Sequence, residues 1–160
     1  MITARRTHSA FSLIELVIVV VIIGIIAAIA IPRMSRGAQG ANDSSLQGNL
    51  AVLRKAIDLY AAEHGGNFPT AADIVTQLTQ YTDTGTGAGV AKDSTHIYGP
   101  YIARSIPACP VGTYKGQNTI VTTAPGAAPG GWSYTASTGT IMANCKDTDV
   151  DAAGVKYNTY

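Results

Sequence analysis

The chain has 160 residues, of which 46% are hydrophobic, and a formal net charge of +1; this is room for one compact domain plus an appendage. So even a balance leaves no basic footprint that would make nucleic acid the main partner. Only two cysteines occur, and with no His pair beside them they do not build a tetrahedral zinc site.

Residues 1–10 are polar, with Arg5 and Arg6 as their only charges. An apolar run then extends from Phe11 to Ile31, 21 residues broken by a single charge at Glu15. As a helix rising about 1.5 Å per residue it is roughly 31 Å long, near the thickness of a bilayer's hydrocarbon core. Arginines ahead of the span predict a cytoplasmic N-terminus and export of everything after Ile31.

Three membrane readings compete for this segment. A cleaved secretory signal would use Ala28-Ile29-Ala30, but the run is long for it and Pro32 falls two residues past the cut. A permanent anchor accounts for the length and gives Glu15 no purpose. A cut between Ala10 and Phe11 gives it one. A carboxylate inside a membrane span costs about 2.5–3.5 kcal/mol, so it is a functional residue by default. The new ammonium on Phe11 would lie one helical turn from Glu15. Within one chain Glu15 would also favour the helix N-terminus. Between chains the ammonium and the carboxylate would compensate each other at one axial offset only, which sets register.

Beyond Ile31 the pattern becomes amphipathic. Leu46, Leu50, Leu53, Ile57 and Tyr60 recur at helical spacing, with Arg54, Lys55, Asp58 and Glu63 between them. His64-Gly65-Gly66 ends the pattern, giving one helix from about residue 12 to 63. Gly24 and Pro32 inside it predict a loosened or kinked section.

Downstream, Thr70 and Asp73 predict the start of a second helix over 71–81, followed by a Gly/Thr loop at 82–89 and an extended stretch at 97–102. Residues 119–123, 132–135 and 140–144 read as strands of a small antiparallel meander packing on the helix stripe. The expected class is α+β. The expected parts are 1–10 as leader, 11–32 as membrane helix, 33–64 as amphipathic helix and 65–160 as exported head.

Phe11-Ser12-Leu13-Ile14-Glu15-Leu16-Val17, with the apolar stretch to Pro32, closely resembles the cleavage and methylation motif of type IV pilins and type II secretion pseudopilins. The resemblance implies a pilin-like fold and removal of residues 1–10 by a prepilin peptidase, with methylation of Phe11. It further implies assembly with identical or related subunits, driven by a cytoplasmic ATPase through an inner-membrane platform protein. The mature subunit would stand in the bacterial inner membrane with its head in the periplasm, and then in a pilus or pseudopilus. The family almost always has Gly before the cut, where this chain has Ala10. Gly65-Gly66-Asn67-Phe68-Pro69-Thr70, Gly99-Pro100-Tyr101, Ile106-Pro107-Ala108-Cys109-Pro110 and Trp132-Ser133-Tyr134 look like major pseudopilins. The Cys109–Cys145 pair is reminiscent of pilins.

Outside the cytoplasm an even count of two makes a Cys109–Cys145 disulfide the expectation, against two buried free thiols. Asp147, Asp149 and Asp151 alternate and would converge on Ca²⁺ if their segment loops. The EF-hand Gly and Glu positions hold Ala152 and Asn158 instead, as solvated turn acids would allow. No other cofactor is implied. His8, His64 and His96 are scattered, and no Ser, His and carboxylate set suggests an enzyme. The alternative to a polymerising subunit is a singly anchored exported protein that binds a ligand.

Overall fold

A computed structural model describes residues 11–160. These residues divide into two compact units, one ending at Ala38 and one running from Gln39 to Tyr160. The α1 helix, Leu13–Glu63, contributes to both and stays helical across Gly24 and Pro32. Pro32 has no N–H, so the carbonyl one turn before it loses its usual donor. In the first unit Leu13–Ile31 is the only stretch among the described residues long and apolar enough to cross a membrane. Its 19 residues span about 29 Å as a helix, and none of them is buried.

The second unit holds the core. Leu46, Leu50, Leu53, Ile57 and Tyr60 are each at most 1% exposed, so the five-residue stripe is the inner face of α1. The helix stops where the glycines begin. Gly65 and Gly66 have φ of 64° and 89°, and the Gly66 N–H donates back to the Ala61 carbonyl at 2.8 Å. That back-bond satisfies a carbonyl the helix end leaves open. The α2 helix is only Ile74–Thr79, because 71–73 form a turn tied by the Thr70 hydroxyl and Asp73.

The strands β1 (Tyr81–Thr82) and β2 (Ala88–Gly89) pair antiparallel, where the sequence predicts a loop. The Asp83 carboxylate folds the intervening turn by accepting the Gly85 and Gly87 N–H groups at 2.7 and 3.0 Å. Of the stretch expected to be extended at 97–102, only Tyr98 pairs, with Thr82.

The main sheet is β3 (Ile120–Val121), β4 (Trp132–Thr135) and β5 (Thr140–Ala143), in that order. The β4–β5 hairpin is antiparallel, as expected, with Trp132 opposite Ala143 and Tyr134 opposite Ile141. All four point into the core with the helix stripe. The β3–β4 pair is parallel, so the predicted three-strand meander is corrected at its first strand. The reason is the link between them. Asn144, fully buried, accepts the Gly126 N–H and donates to the Ala128 and Gly130 carbonyls, each at 2.7–2.8 Å. This pins the link back, so the chain re-enters beside β3 in the same direction. The architecture is α+β, a long helix with a small, largely antiparallel sheet.

Candidate functional site

Local chemistry at the start of α1 follows from three residues. Ser12 is the N-cap: its carbonyl receives the first helical bond, from Leu16 N–H at 3.2 Å. Glu15 is then the third helical residue, and its carboxylate reaches back to accept the Ser12 N–H at 2.9 Å. This is the acidic half of a capping box, which satisfies one of the donors a helix start leaves open. Phe11, one residue before the cap, is 79% exposed. The Glu15 carboxylate is therefore held at the helix start on the Ser12 N–H, whose nitrogen is one residue along the backbone from that of Phe11. Ala10, the other side of the predicted cut, lies outside the described residues, as do Arg5 and Arg6. Around Glu15 the surface is unbroken hydrocarbon: Leu13, Ile14, Leu16, Val17 and Ile18 are all exposed. Among the described residues this face is exposed, and lipid or other helices suit it.

The remaining predicted residues lie in the head, apart from Gly24 and Pro32 within α1. Cys109 and Cys145 come together as buried thiols, and both sulfurs approach the Val111 carbonyl, at 3.5 and 3.9 Å. Their mutual hydrogen bond holds Cys109 down and pushes Cys145 up. The three aspartates do not converge. Asp147 takes Lys156 and Asn158, at 2.9 and 2.8 Å. Asp149 takes the Thr113 N–H and hydroxyl and the Lys146 N–H. Asp151 takes the Ala153 and Val155 N–H groups and the Tyr160 hydroxyl. Each carboxylate is spent on a different turn, and no group of three metal-ligating side chains is found among the described residues.

Several structural contacts escaped the sequence reading. The Trp132 indole donates to the Pro107 carbonyl at 2.7 Å and the Tyr134 hydroxyl to the Pro69 carbonyl at 2.9 Å, which seats both Pro-rich segments on the sheet. The C-terminal strap, residues 146–160, is buckled to α1. Tyr157 donates to Asp43 at 2.6 Å, and Arg54 donates to the main-chain oxygens of Ile141 and Tyr160. His64 stacks on Tyr60 at 3.8 Å, and its Nε2 is buried without a partner among the described residues. For Ser12 a signal was present, since Ser-x-x-Glu before an apolar run is the pattern of a capping box.

No curated protein and no solved structure matches this chain. Residues 5–31, which contain Ala10, Phe11, Ser12, Glu15 and the exposed apolar span, match the family model described as the prokaryotic N-terminal methylation motif; the chain carries the prepilin-type motif of type IV pilins and pseudopilins.

Proposed function

We propose that this protein is a structural subunit, cut between Ala10 and Phe11, methylated on Phe11 and polymerised into a type IV pilus or a type II secretion pseudopilus. The observation that carries the reading is an exposed apolar span, Leu13–Ile31, whose only acid, Glu15, is already turned back to the helix start inside the matched motif. Cleavage replaces an amide nitrogen at Phe11 by an ammonium. Packed against neighbouring copies, that cation and Glu15 leave water together, and the pair offsets a desolvation cost that neither bears well alone. The partners of this reading are other pilin subunits, a prepilin peptidase, a platform protein and an assembly ATPase. The helix is the single membrane anchor, with the N-terminus cytoplasmic and the head periplasmic.

Mass spectrometry of the native N-terminus tests it. A chain starting at methylated Phe11 is expected; an intact Met1 favours the anchored, ligand-binding alternative, and a start at Ile31 favours a secreted protein. Glu15→Val is expected to insert normally and to reduce fibre yield by about tenfold or more. Wild-type fibre yield from that variant would remove the register role of Glu15.

A further inference from the structure

We infer that Arg33 and Arg36 form a cationic collar that binds the phosphate groups of anionic phospholipids on the exported face of the membrane. The inference rests on the membrane-anchor part of the proposed function, and on neither cleavage nor polymerisation.

The apolar span ends at Ile31, and Arg33 is the second residue after it. The α1 helix runs unbroken through both arginines. Its rise puts them about 3 and about 8 Å beyond the last residue of the span. The polar layer on each side of a bilayer is about 5–7 Å thick, so this is headgroup depth. Arg33 is exposed, as is Met34 beside it.

The chain supplies no counter-ion at this level. Between Glu15 and Asp43 the two arginines are the only charged residues. Glu15 stands 18 residues before Arg33, about 27 Å along the helix, and already accepts the Ser12 N–H. Asp43 comes ten residues after Arg33 and accepts from Tyr157. The ion pairs among the described residues, His96–Asp93 and Lys156–Asp147, lie in the head. Positions three apart are neighbours on a helix surface, where like charges repel, so the pair calls for an anion from outside.

Topology does not account for the two residues either. Cations favour the cytoplasmic flank of a span, yet Arg33 and Arg36 place as many arginines after it as Arg5 and Arg6 place before it. Phosphate does account for them. Both are Arg and not Lys, and a guanidinium grips a phosphate through two parallel N–H bonds. An anionic bilayer surface adds its own attraction to each cation near it. A grip there also fixes where Glu15 rests, about 27 Å away and so near the opposite edge of a hydrocarbon core about 30 Å thick.

The full chain is placed in nanodiscs of equal parts phosphatidylcholine and phosphatidylglycerol, and the lipids it keeps are counted by native mass spectrometry. Flotation with vesicles of the same mixture, after an alkaline carbonate wash, checks that the span inserts. Wild type is expected to keep the anionic lipid in an excess on the order of tenfold. Arg33→Gln/Arg36→Gln is expected to insert equally well and to lose most of that excess. Arg33→Lys/Arg36→Lys is expected to keep part of it, because the charge stays and the fork is gone. Arg5→Gln/Arg6→Gln, at the other end of the span, is expected to leave most of it in place. An excess that survives Arg33→Gln/Arg36→Gln, or vanishes only with Arg5→Gln/Arg6→Gln, overturns the collar. So does an excess removed by inorganic phosphate in the buffer, which would make the arginines a site for free anions. A wild-type chain that does not float sinks the membrane anchor itself, whereas one that floats without lipid preference sinks this inference alone.

Discussion

Asn144 is fully buried and spends its amide on three backbone groups of one loop. Replacement by Ala leaves the buried Gly130 carbonyl and the half-buried Gly126 N–H and Ala128 carbonyl without this partner, and a buried unpaired polar group costs about 1–3 kcal/mol. Asn144→Ala is therefore expected to lower head stability by about 3 kcal/mol, read by urea unfolding of the detergent-solubilised chain. A loss below about 0.5 kcal/mol would show that water replaces these bonds. Single residues differ sharply in how well the sequence announced them. Glu15 was legible because an acid in 21 otherwise uncharged residues is expensive anywhere on the chain. Its bond to Ser12 follows from spacing along one turn. Asn144 was not legible, since an Asn near the end of a strand looks the same whether it faces solvent or holds a loop 14–18 residues away.

Among elements, the same distinction sorts α1 from the small sheet. The stripe from Leu46 to Tyr60 is set by a period of 3.6 and large apolar side chains, so its burial could be read locally. The β4–β5 hairpin was equally clear, with β-formers on both sides of Gly139, whose φ is 68°. The direction of β3 depended on Asn144, and α2 lost its first residues to the Thr70–Asp73 turn. The strap was invisible because Tyr157 finds Asp43 across 114 positions. Its electrostatics give a sign for pH. Asp147 is held below the ordinary carboxylate range chiefly by Lys156, and Asp151 chiefly by the Tyr160 hydroxyl. For Asp149, burial pushes up, but the Thr113 and Lys146 N–H groups outweigh it and the net shift is down. Depressed folded values mean that these bonds stabilise fully above the unfolded Asp pKa of about 3.9 and are lost as pH falls through the lower folded values. The strap is thus expected to loosen below about pH 4, seen as faster hydrogen exchange at residues 149–157 after correction for intrinsic rates. Asp149→Asn is expected to flatten part of that dependence, and a strap equally protected at pH 3 and 6 would contradict the assignment.

For the whole molecule, the decisive contrast is between an apolar helix left uncovered and a head with its own core. In the proposed fibre a chain without residues 1–10 carries 9 basic and 10 acidic side chains, a net charge near zero, so copies would meet without strong mutual repulsion. Their cohesion would then come from the exposed Leu13–Ile31 face, at about 25 cal/mol per Å² of apolar surface removed from water. The Phe11–Glu15 pairing would lie inside that apolar contact, where mobile ions do not reach. Raising salt to about 1 M shortens the Debye length to about 3 Å and weakens contacts between exposed charges, but leaves a buried pair almost unscreened. Detergent does the opposite, since it offers the apolar helix a substitute for its neighbours. Purified fibres are therefore expected to sediment unchanged from about 1 M salt and to dissolve into subunits in detergent above its micelle concentration. Fibres that fall apart in salt yet persist in detergent would locate the adhesive contacts on the polar heads and leave the helix as a membrane anchor alone.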